Sequence, residues 1–174
     1  SDYITVSNHA DFQIDGEDFT AAFWVNFTED ASGTSNKDGP IGLIAGRFRQ
    51  GGFWFEYVDA SGDAEKIAFY TDTGSAKTSI LSTTNMEHDT WYHVAATYDV
   101  STTTAKLYID GTLERTDTSM SAPGAYTNDI GVGSWTPYAS CKESQVVFWK
   151  GSLFDADTIR SLISDRNLKY FRPA

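Results

Sequence analysis

Short runs rich in β-branched and aromatic residues recur along the whole chain, separated by clusters of Gly, Asp, Asn and Ser. Such runs favour strands, and turn-forming clusters between them are typical of an all-β sandwich or barrel. No fixed repeat period links the runs, which argues against propellers and solenoids. The strands predicted from this pattern cover residues 3–6, 19–28, 41–49, 53–59, 66–71, 78–82, 91–99, 105–109, 112–116, 129–134 and 145–150.

Two local sequence signals mark a tight turn and a helix. Asp110 and Gly111 stand between two predicted strands, and both residue types tolerate the positive φ that a tight hairpin requires. Asp155 is placed to cap a helix, because its side chain can accept a hydrogen bond from the first turn. Apolar residues then recur at helical spacing, at Ile159, Leu162 and Ile163. This short C-terminal helix is predicted to lie as a lid on the sandwich.

The size and composition of the chain suit one packed domain. A chain of 174 residues and 19.2 kDa can bury about two-thirds of its unfolded surface around one core. Hydrophobic residues make up 40% of the sequence and aromatic residues 14%, which fills such a core and excludes disorder. The predicted organisation is a single domain over residues 1–174.

The charge balance narrows the range of partners. With 13 Lys and Arg against 24 Asp and Glu, the formal net charge is −11, and no basic cluster offsets it. Such a surface repels phosphate backbones, which excludes nucleic acid as a partner. No apolar run approaches the roughly 20 residues that cross a bilayer, so we expect no membrane insertion. Cys141 is the only cysteine, which excludes a disulfide within the chain.

Residues 91–114, WYHVAATYDVSTTTAKLYIDGTLE, resemble the hairpin of laminin G-like domains in the concanavalin A-like lectin/glucanase superfamily. Residues 2–6, 18–27, 130–135 and 146–159 match further segments of such domains in the expected order. The resemblance implies an all-β jelly roll, a β-sandwich of two curved antiparallel sheets, here with one short C-terminal helix. It implies a fold and not a particular ligand.

The carboxylates that glucanases of this superfamily use are not reproduced in the sequence. Those enzymes carry an E-x-D-x-x-E strand, in which one carboxylate attacks and a second, about 5 to 5.5 Å away, protonates the leaving oxygen. The nearest segment contains Glu87 and Asp89 but has Tyr92 where the second Glu is needed. We therefore expect a protein that is not an enzyme and has no catalytic residue. His93 lies within a predicted strand and is expected to be structural.

Calcium is the one metal that the sequence and the resemblance suggest. Calcium takes several hard oxygen ligands, which flexible loops can gather. Asp30, Asn36 and Asp38 supply such oxygens within the long segment 29–40. Laminin G-like domains often carry an Asp-Glu pair before the last core strand, whereas this chain has Ser144-Gln145 there. A Ca²⁺ site at the three loop residues and ordinary solvated loop polarity are both open interpretations.

A sugar site needs flat apolar rings to stack on the sugar and polar groups to fix its orientation. Trp135 and Tyr138 provide such rings in the predicted loop 133–144, and Glu143 provides a polar group near them. Aromatic residues near strand ends also close the edges of sandwiches, and that interpretation is open too. Because it combines rings with a polar group, the loop 133–144 is the predicted ligand site.

Other aromatic residues divide between the predicted rim and the predicted core. Tyr126 and Asn128 are further ligand candidates, because their segment is rich in turn residues and is expected to be exposed. Trp54, Trp91 and Trp149 lie within predicted strands and are expected to belong to the core.

The resemblance and the loop residues together predict a lectin-like, non-catalytic carbohydrate-binding module of an extracellular or cell-surface protein. Such a module would bind a glycan through its rim loops, with or without calcium. One alternative is a protein–protein adhesion or structural module of a larger surface protein, which would use the same sandwich to contact a surface protein. Another alternative is a degenerate glycoside hydrolase.

Overall fold

In the computed structural model, residues 4–28, 51–59, 65–126, 129–132 and 141–164 are described, and they form strands and one α-helix. The elements are β1 (Ile4–Val6), a 3₁₀ turn (Ala10–Phe12), β2 (Phe19–Phe27), β3 (Gly52–Asp59), β4 (Glu65–Asp72), β5 (Lys77–Leu81), β6 (Trp91–Asp99), β7 (Thr104–Ile109), β8 (Thr112–Asp117), β9 (Ile130–Val132), β10 (Cys141–Lys150) and α1 (Ala156–Ser164). Every strand predicted within these ranges is found. The strand predicted at 41–49 lies outside the described residues.

The strands form two larger antiparallel sheets that pack face to face. Among the described strands, one sheet has five in the order β10-β2-β6-β7-β8, and the other has three in the order β3-β4-β5. β1 and β9 pair as a separate two-stranded ribbon. The predicted all-β jelly-roll sandwich with a C-terminal helix is confirmed.

The core lies between the inner faces of the two sheets and is dominated by aromatic rings. Along β2 every second side chain, beginning at Phe19, belongs to this core, as the two-residue period of a strand dictates. Phe19 stacks on Phe53 with ring centroids 4.5 Å apart, and Phe27 stacks on Tyr57 at 3.9 Å. Each of these contacts joins β2 to β3, so the rings fix the spacing between the sheets.

The helix covers part of the outer face of the five-stranded sheet. Asp155 caps it as predicted, because its Oδ1 accepts a hydrogen bond from the Thr158 backbone N–H at 2.8 Å. Ile159 is fully buried in a cluster with Ala22 and Ala95, whose small side chains let the helix approach the sheet. The predicted lid on the sandwich is therefore confirmed. No helix in the described ranges combines the length and the apolar character needed to span a membrane.

The turn between β7 and β8 is the tight hairpin predicted at Asp110-Gly111. The two residues have φ values of 49° and 72°. Asp110 Oδ1 also accepts a hydrogen bond from the His93 backbone N–H at 2.8 Å, which ties the turn to β6. The helix lies over this turn, because a Cβ added at Gly111 would stand 2.5 Å from Arg160 Cγ.

Replacement of Gly111 with alanine is expected to lower the free energy of unfolding by about 2 to 3 kcal/mol, because left-handed strain and crowding against Arg160 add together. Gly16 offers a matched control, since its φ is also 72° and nothing lies within 4 Å of an added Cβ. Gly16→Ala should cost only the strain, about 1 kcal/mol. Urea unfolding followed by tryptophan fluorescence measures both variants. Equal losses would contradict close packing of α1 on the turn.

β10 begins earlier than predicted and contains an irregularity. The predicted strand starts at residue 145, whereas β10 begins at Cys141. Its pairing register with β2 shifts between Ser144 and Val147, and Gln145 between them has a φ of 50°. An inserted residue of this kind is a β-bulge, which breaks the alternation of a strand. That break is why the sequence pattern assigned the stretch before residue 145 to a loop.

Candidate functional site

Most of the site residues predicted from the sequence lie outside the described residues. These are Trp135, Tyr138, Asn128, Asp30, Asn36 and Asp38. Glu143 lies within β10 and not in a loop, and its backbone pairs with Val25. Only the backbone of Glu143 is described. The roles assigned to these residues therefore stay predictions.

Tyr126 is buried, so the exposure expected for its side chain is wrong. The side chain is 4% exposed and packs in the core between the sheets. Its hydroxyl donates a hydrogen bond to Asp129 O at 2.9 Å, and its backbone N–H donates to Gln13 Oε1 at 3.3 Å. These contacts hold a turn-rich segment against the sandwich. The Tyr126 ring consequently has almost no exposed face.

The outer face of the three-stranded sheet carries a packed aromatic cluster. Trp54 and Tyr70 stack with ring centroids 4.7 Å apart and 4° between the ring planes. The Lys77 ammonium lies 4.6 Å from the centroid of the Tyr70 ring, and Trp54 Nε1 donates to Glu56 Oε2 at 3.2 Å. Burial, and then the charge of Glu56, raise the pKa of Tyr70 to about 12. Because Trp54, Glu56 and Tyr70 are buried and contact one another, packing explains this cluster.

The outer face of the five-stranded sheet carries a second group of aromatic and polar side chains, beside the area that α1 covers. Four residues of β2 and β6 that alternate with core residues form this group, here called the β2–β6 patch. They are Trp24, Asn26, Trp91 and His93. The register pairs Trp24 with His93 and Asn26 with Trp91. The adjacent stretch of β10 pairs with the same end of β2, so the patch lies at one end of the sheet.

Trp91 is the exposed aromatic ring of the β2–β6 patch. Its side chain is 45% exposed, so the prediction that it belongs to the core is wrong. Tyr92, and not Trp91, points to the same side of β6 as the core residues. Trp91 and Ala95 lie on the outer face of the sheet, where α1 packs against Ala95 and does not cover Trp91. An exposed indole beside polar groups is a surface suited to stacking on a ligand.

Two other side chains of the patch, those of Asn26 and His93, hold buried polar atoms. Asn26 is 4% exposed and His93 is 3% exposed. Neither Asn26 Oδ1 nor His93 Nδ1 has a partner in the part of the chain that the structure describes. Burial lowers the pKa of His93 to about 4, so its imidazole is neutral at pH 7. Since an unpaired buried polar atom costs about 1 to 3 kcal/mol, packing alone does not explain this pair.

The acidic turn before β6 is held by backbone hydrogen bonds. The Glu87 N–H donates to the Tyr92 hydroxyl at 3.0 Å, and the Asp89 N–H donates to Phe27 O at 2.7 Å. Asp89 lies in the turn that precedes β6, and Glu87 lies just before that turn. Across the described ranges, no group of three His, Cys, Asp or Glu side chains is arranged to hold a metal ion.

Sequence comparison identifies a family but no individual relative. A family model described as the concanavalin A-like lectin/glucanases superfamily matches residues 1–157. The comparison with curated proteins found no match.

Several solved structures are similar to this chain in fold. A mutant of HCR/D is 15% identical, with a TM-score of 0.71 over 97% of this chain and 42% of that chain. The receptor-binding domain of botulinum neurotoxin type G is 15% identical, with a TM-score of 0.64 over 94% of this chain and 44% of that chain. Domain 4 of AbnA, an extracellular GH43 arabinanase from Geobacillus stearothermophilus solved with arabinotriose, is 15% identical, with a TM-score of 0.65 over 92% of this chain and 71% of that chain. The chain thus spans less than half of the first two structures, and all three likenesses concern the fold alone.

Proposed function

The chain belongs to the concanavalin A-like lectin/glucanase superfamily, and from that premise we propose that it is a non-catalytic carbohydrate-binding module. The observation that supports this function most directly is the β2–β6 patch. It combines an exposed indole, Trp91, with two polar side chains, Asn26 and His93, whose buried Oδ1 and Nδ1 atoms have no hydrogen-bond partner among the described residues. The parent protein is proposed to be extracellular or attached to the cell surface.

The chemistry of the patch suits a neutral sugar. The apolar C–H face of a sugar ring stacks on an indole, while polar groups at the side fix its orientation. A ring that covers about 60 Å² of sugar surface contributes about 1.5 kcal/mol. That is weak affinity on its own, so further hydrogen bonds or several binding sites must add to it. The net charge of −11 favours neutral over anionic glycans.

The residues predicted from the sequence extend this proposal to segments outside the described residues. Segment 133–140 leads into β10 at Cys141, which pairs with Phe27 at the end of β2 that carries Asn26. We propose that aromatic and polar residues there and nearby make further contacts with the glycan. They are Trp135, Tyr138 and Asn128. A Ca²⁺ ion held by Asp30, Asn36 and Asp38 is part of the same proposal.

Replacement of Trp91 with alanine is expected to weaken glycan binding about tenfold, because it removes the stacking surface of the patch. An array of neutral glycans that includes arabinotriose identifies the ligand, and calorimetry then measures its affinity with Ca²⁺ and with a chelator. Leu113→Ala is the matched control, since Leu113 is also 45% exposed but lies on β8. That variant should bind as the wild type does.

Three results would contradict parts of this proposal. An unchanged affinity in folded Trp91→Ala would show that the glycan binds elsewhere on the domain. Silence of the wild type across the array would favour a surface protein as the partner and the adhesion function that the same fold can serve. Equal affinities with Ca²⁺ and with the chelator would remove calcium from glycan binding.

A further inference from the structure

We propose that Asn26 Oδ1 and His93 Nδ1 form a subsite that binds one hydroxyl group of a neutral sugar, next to the Trp91 ring. This inference rests on the proposed carbohydrate-binding function and specifies which group of the sugar is recognised. Both atoms are buried, and neither has a partner within the described ranges. Buried polar atoms in proteins are nearly always paired, so two unpaired atoms on neighbouring strands call for a common explanation.

The register of β2 and β6 brings the two side chains close together. Asn26 pairs with Trp91, and Trp24 pairs with His93, so Asn26 and His93 are diagonal neighbours on one face of the sheet. Diagonal neighbours in an antiparallel pair have backbones about 7 to 8 Å apart, and their side chains can approach more closely. Hydrogen bonds to a hydroxyl oxygen are about 2.7 to 3.0 Å long, so one hydroxyl bridges atoms up to about 5.5 Å apart.

The hydrogen-bonding capacity of the two atoms selects a hydroxyl group. Asn26 Oδ1 can only accept a hydrogen bond, whereas neutral His93 donates at Nδ1 in the tautomer that carries its proton there. In that tautomer one hydroxyl satisfies both atoms, because it donates its hydrogen to Asn26 Oδ1 and accepts from His93 Nδ1–H. A phosphate dianion or a carboxylate has no hydrogen to donate to Asn26 Oδ1. The net charge of the chain, −11, also repels such anions.

The two indoles of the patch favour a sugar over other alcohols. Trp91 is exposed and pairs with Asn26, so a sugar ring stacked on this indole would carry its edge hydroxyls towards Asn26. Trp24 is half-buried and lies edge-on against the His93 imidazole, with ring centroids 5.4 Å apart and 67° between the planes. Because both atoms are buried, the subsite requires the Trp24 ring to turn away from His93 when the sugar binds.

Nitrogen NMR of the His93 imidazole tests the subsite. The ¹⁵N-labelled chain is titrated separately with arabinotriose, cellotriose, mannotriose and galactotriose, which are all neutral. For a trisaccharide that binds, the His93 Nδ1 and Trp91 Nε1 resonances should shift along the same saturation curve. Asn26→Leu removes the acceptor at similar side-chain size and should weaken that binding at least about fivefold. Its melting temperature should be no lower than that of the wild type, because the variant also removes an unpaired buried oxygen.

Thr97→Val is the matched control, since Thr97 is buried on the same face of β6 but outside the patch. Its affinity should match that of the wild type. Suppose that a trisaccharide shifts the Trp91 resonance but not the His93 resonance, and that Asn26→Leu binds it as the wild type does. The two atoms then contact only water, which overturns the subsite and leaves the proposed function standing. A sharp fall in the melting temperature of Asn26→Leu would assign Asn26 a structural role and overturn the subsite as well. If no trisaccharide shifts either resonance, the subsite and the patch as a carbohydrate site fail together.

Discussion

Replacement of Phe19 with alanine is expected to lower the free energy of unfolding by about 3 to 5 kcal/mol. Phe19 is fully buried, and its ring contacts those of Phe53, Tyr98 and Phe148, with centroids 4.5, 5.8 and 5.9 Å away. Alanine removes these contacts and leaves a cavity that the paired strands cannot close. Small domains have a total stability of only about 5 to 15 kcal/mol, so this loss is a large fraction of it.

Equilibrium unfolding in urea, followed by circular dichroism, measures the loss in Phe19→Ala. Leu153→Ala is a suitable comparison, because Leu153 is 43% exposed and its truncation should change stability by less than about 0.5 kcal/mol. A loss of under about 1 kcal/mol in Phe19→Ala would argue that the core relaxes around the missing ring. The aromatic contacts would then not determine the spacing between the sheets.

The wild type is expected to lose about 2 to 3 kcal/mol of stability through His93 alone as the pH falls from about 7 to about 4.5. Burial lowers the pKa of His93 from 6.5 to about 4 in the folded chain. Between these values the unfolded chain binds a proton that the folded chain does not bind. The stability contribution is therefore complete above the unfolded pKa and is lost as the pH decreases towards the folded pKa.

Urea unfolding of the wild type and of His93→Gln at the two pH values isolates this effect. Glutamine does not titrate, so the variant should lose about 2 to 3 kcal/mol less than the wild type over the same pH range. Thr97→Val is the control, because Thr97 is buried on the same strand and does not titrate. Its change in the free energy of unfolding should be the same at both pH values. Identical pH dependence in wild type and His93→Gln would mean that the pKa of His93 is the same in the folded and the unfolded chain, so that burial does not lower it.

Local sequence patterns are enough to predict most of the strands and turns. The predicted strand at 91–99 and β6 have the same bounds, because alternation of apolar and polar residues along a strand is a local property. The Asp110-Gly111 hairpin and the Asp155 cap follow from side-chain and backbone chemistry within a few residues. β10 was predicted only in part, because the bulge near Gln145 breaks the alternation on which the prediction depends.

The β2–β6 patch could not be predicted, because it depends on contacts between residues that are distant in sequence. Asn26 and Trp91 meet only through the register of β2 and β6. The alternation of side chains along β6 places Trp91 on the outer face of the sheet. Its exposure also depends on where α1 packs on that face, and α1 covers Ala95 rather than Trp91. The spacing of Trp24 and Asn26 was the one sign of the patch in the sequence, because residues two positions apart on a strand lie on the same face.

The bulge in β10 bears on whether one copy of the chain can add a strand to another. Among the described strands, β10 is an outermost strand of the five-stranded sheet. The free edge of a sheet is a template on which another molecule can add its own strand, which is a first step towards fibres. The register shift between Ser144 and Val147 and the left-handed backbone of Gln145 interrupt that template partway along its length. The bulge therefore disfavours strand addition along the described part of this edge.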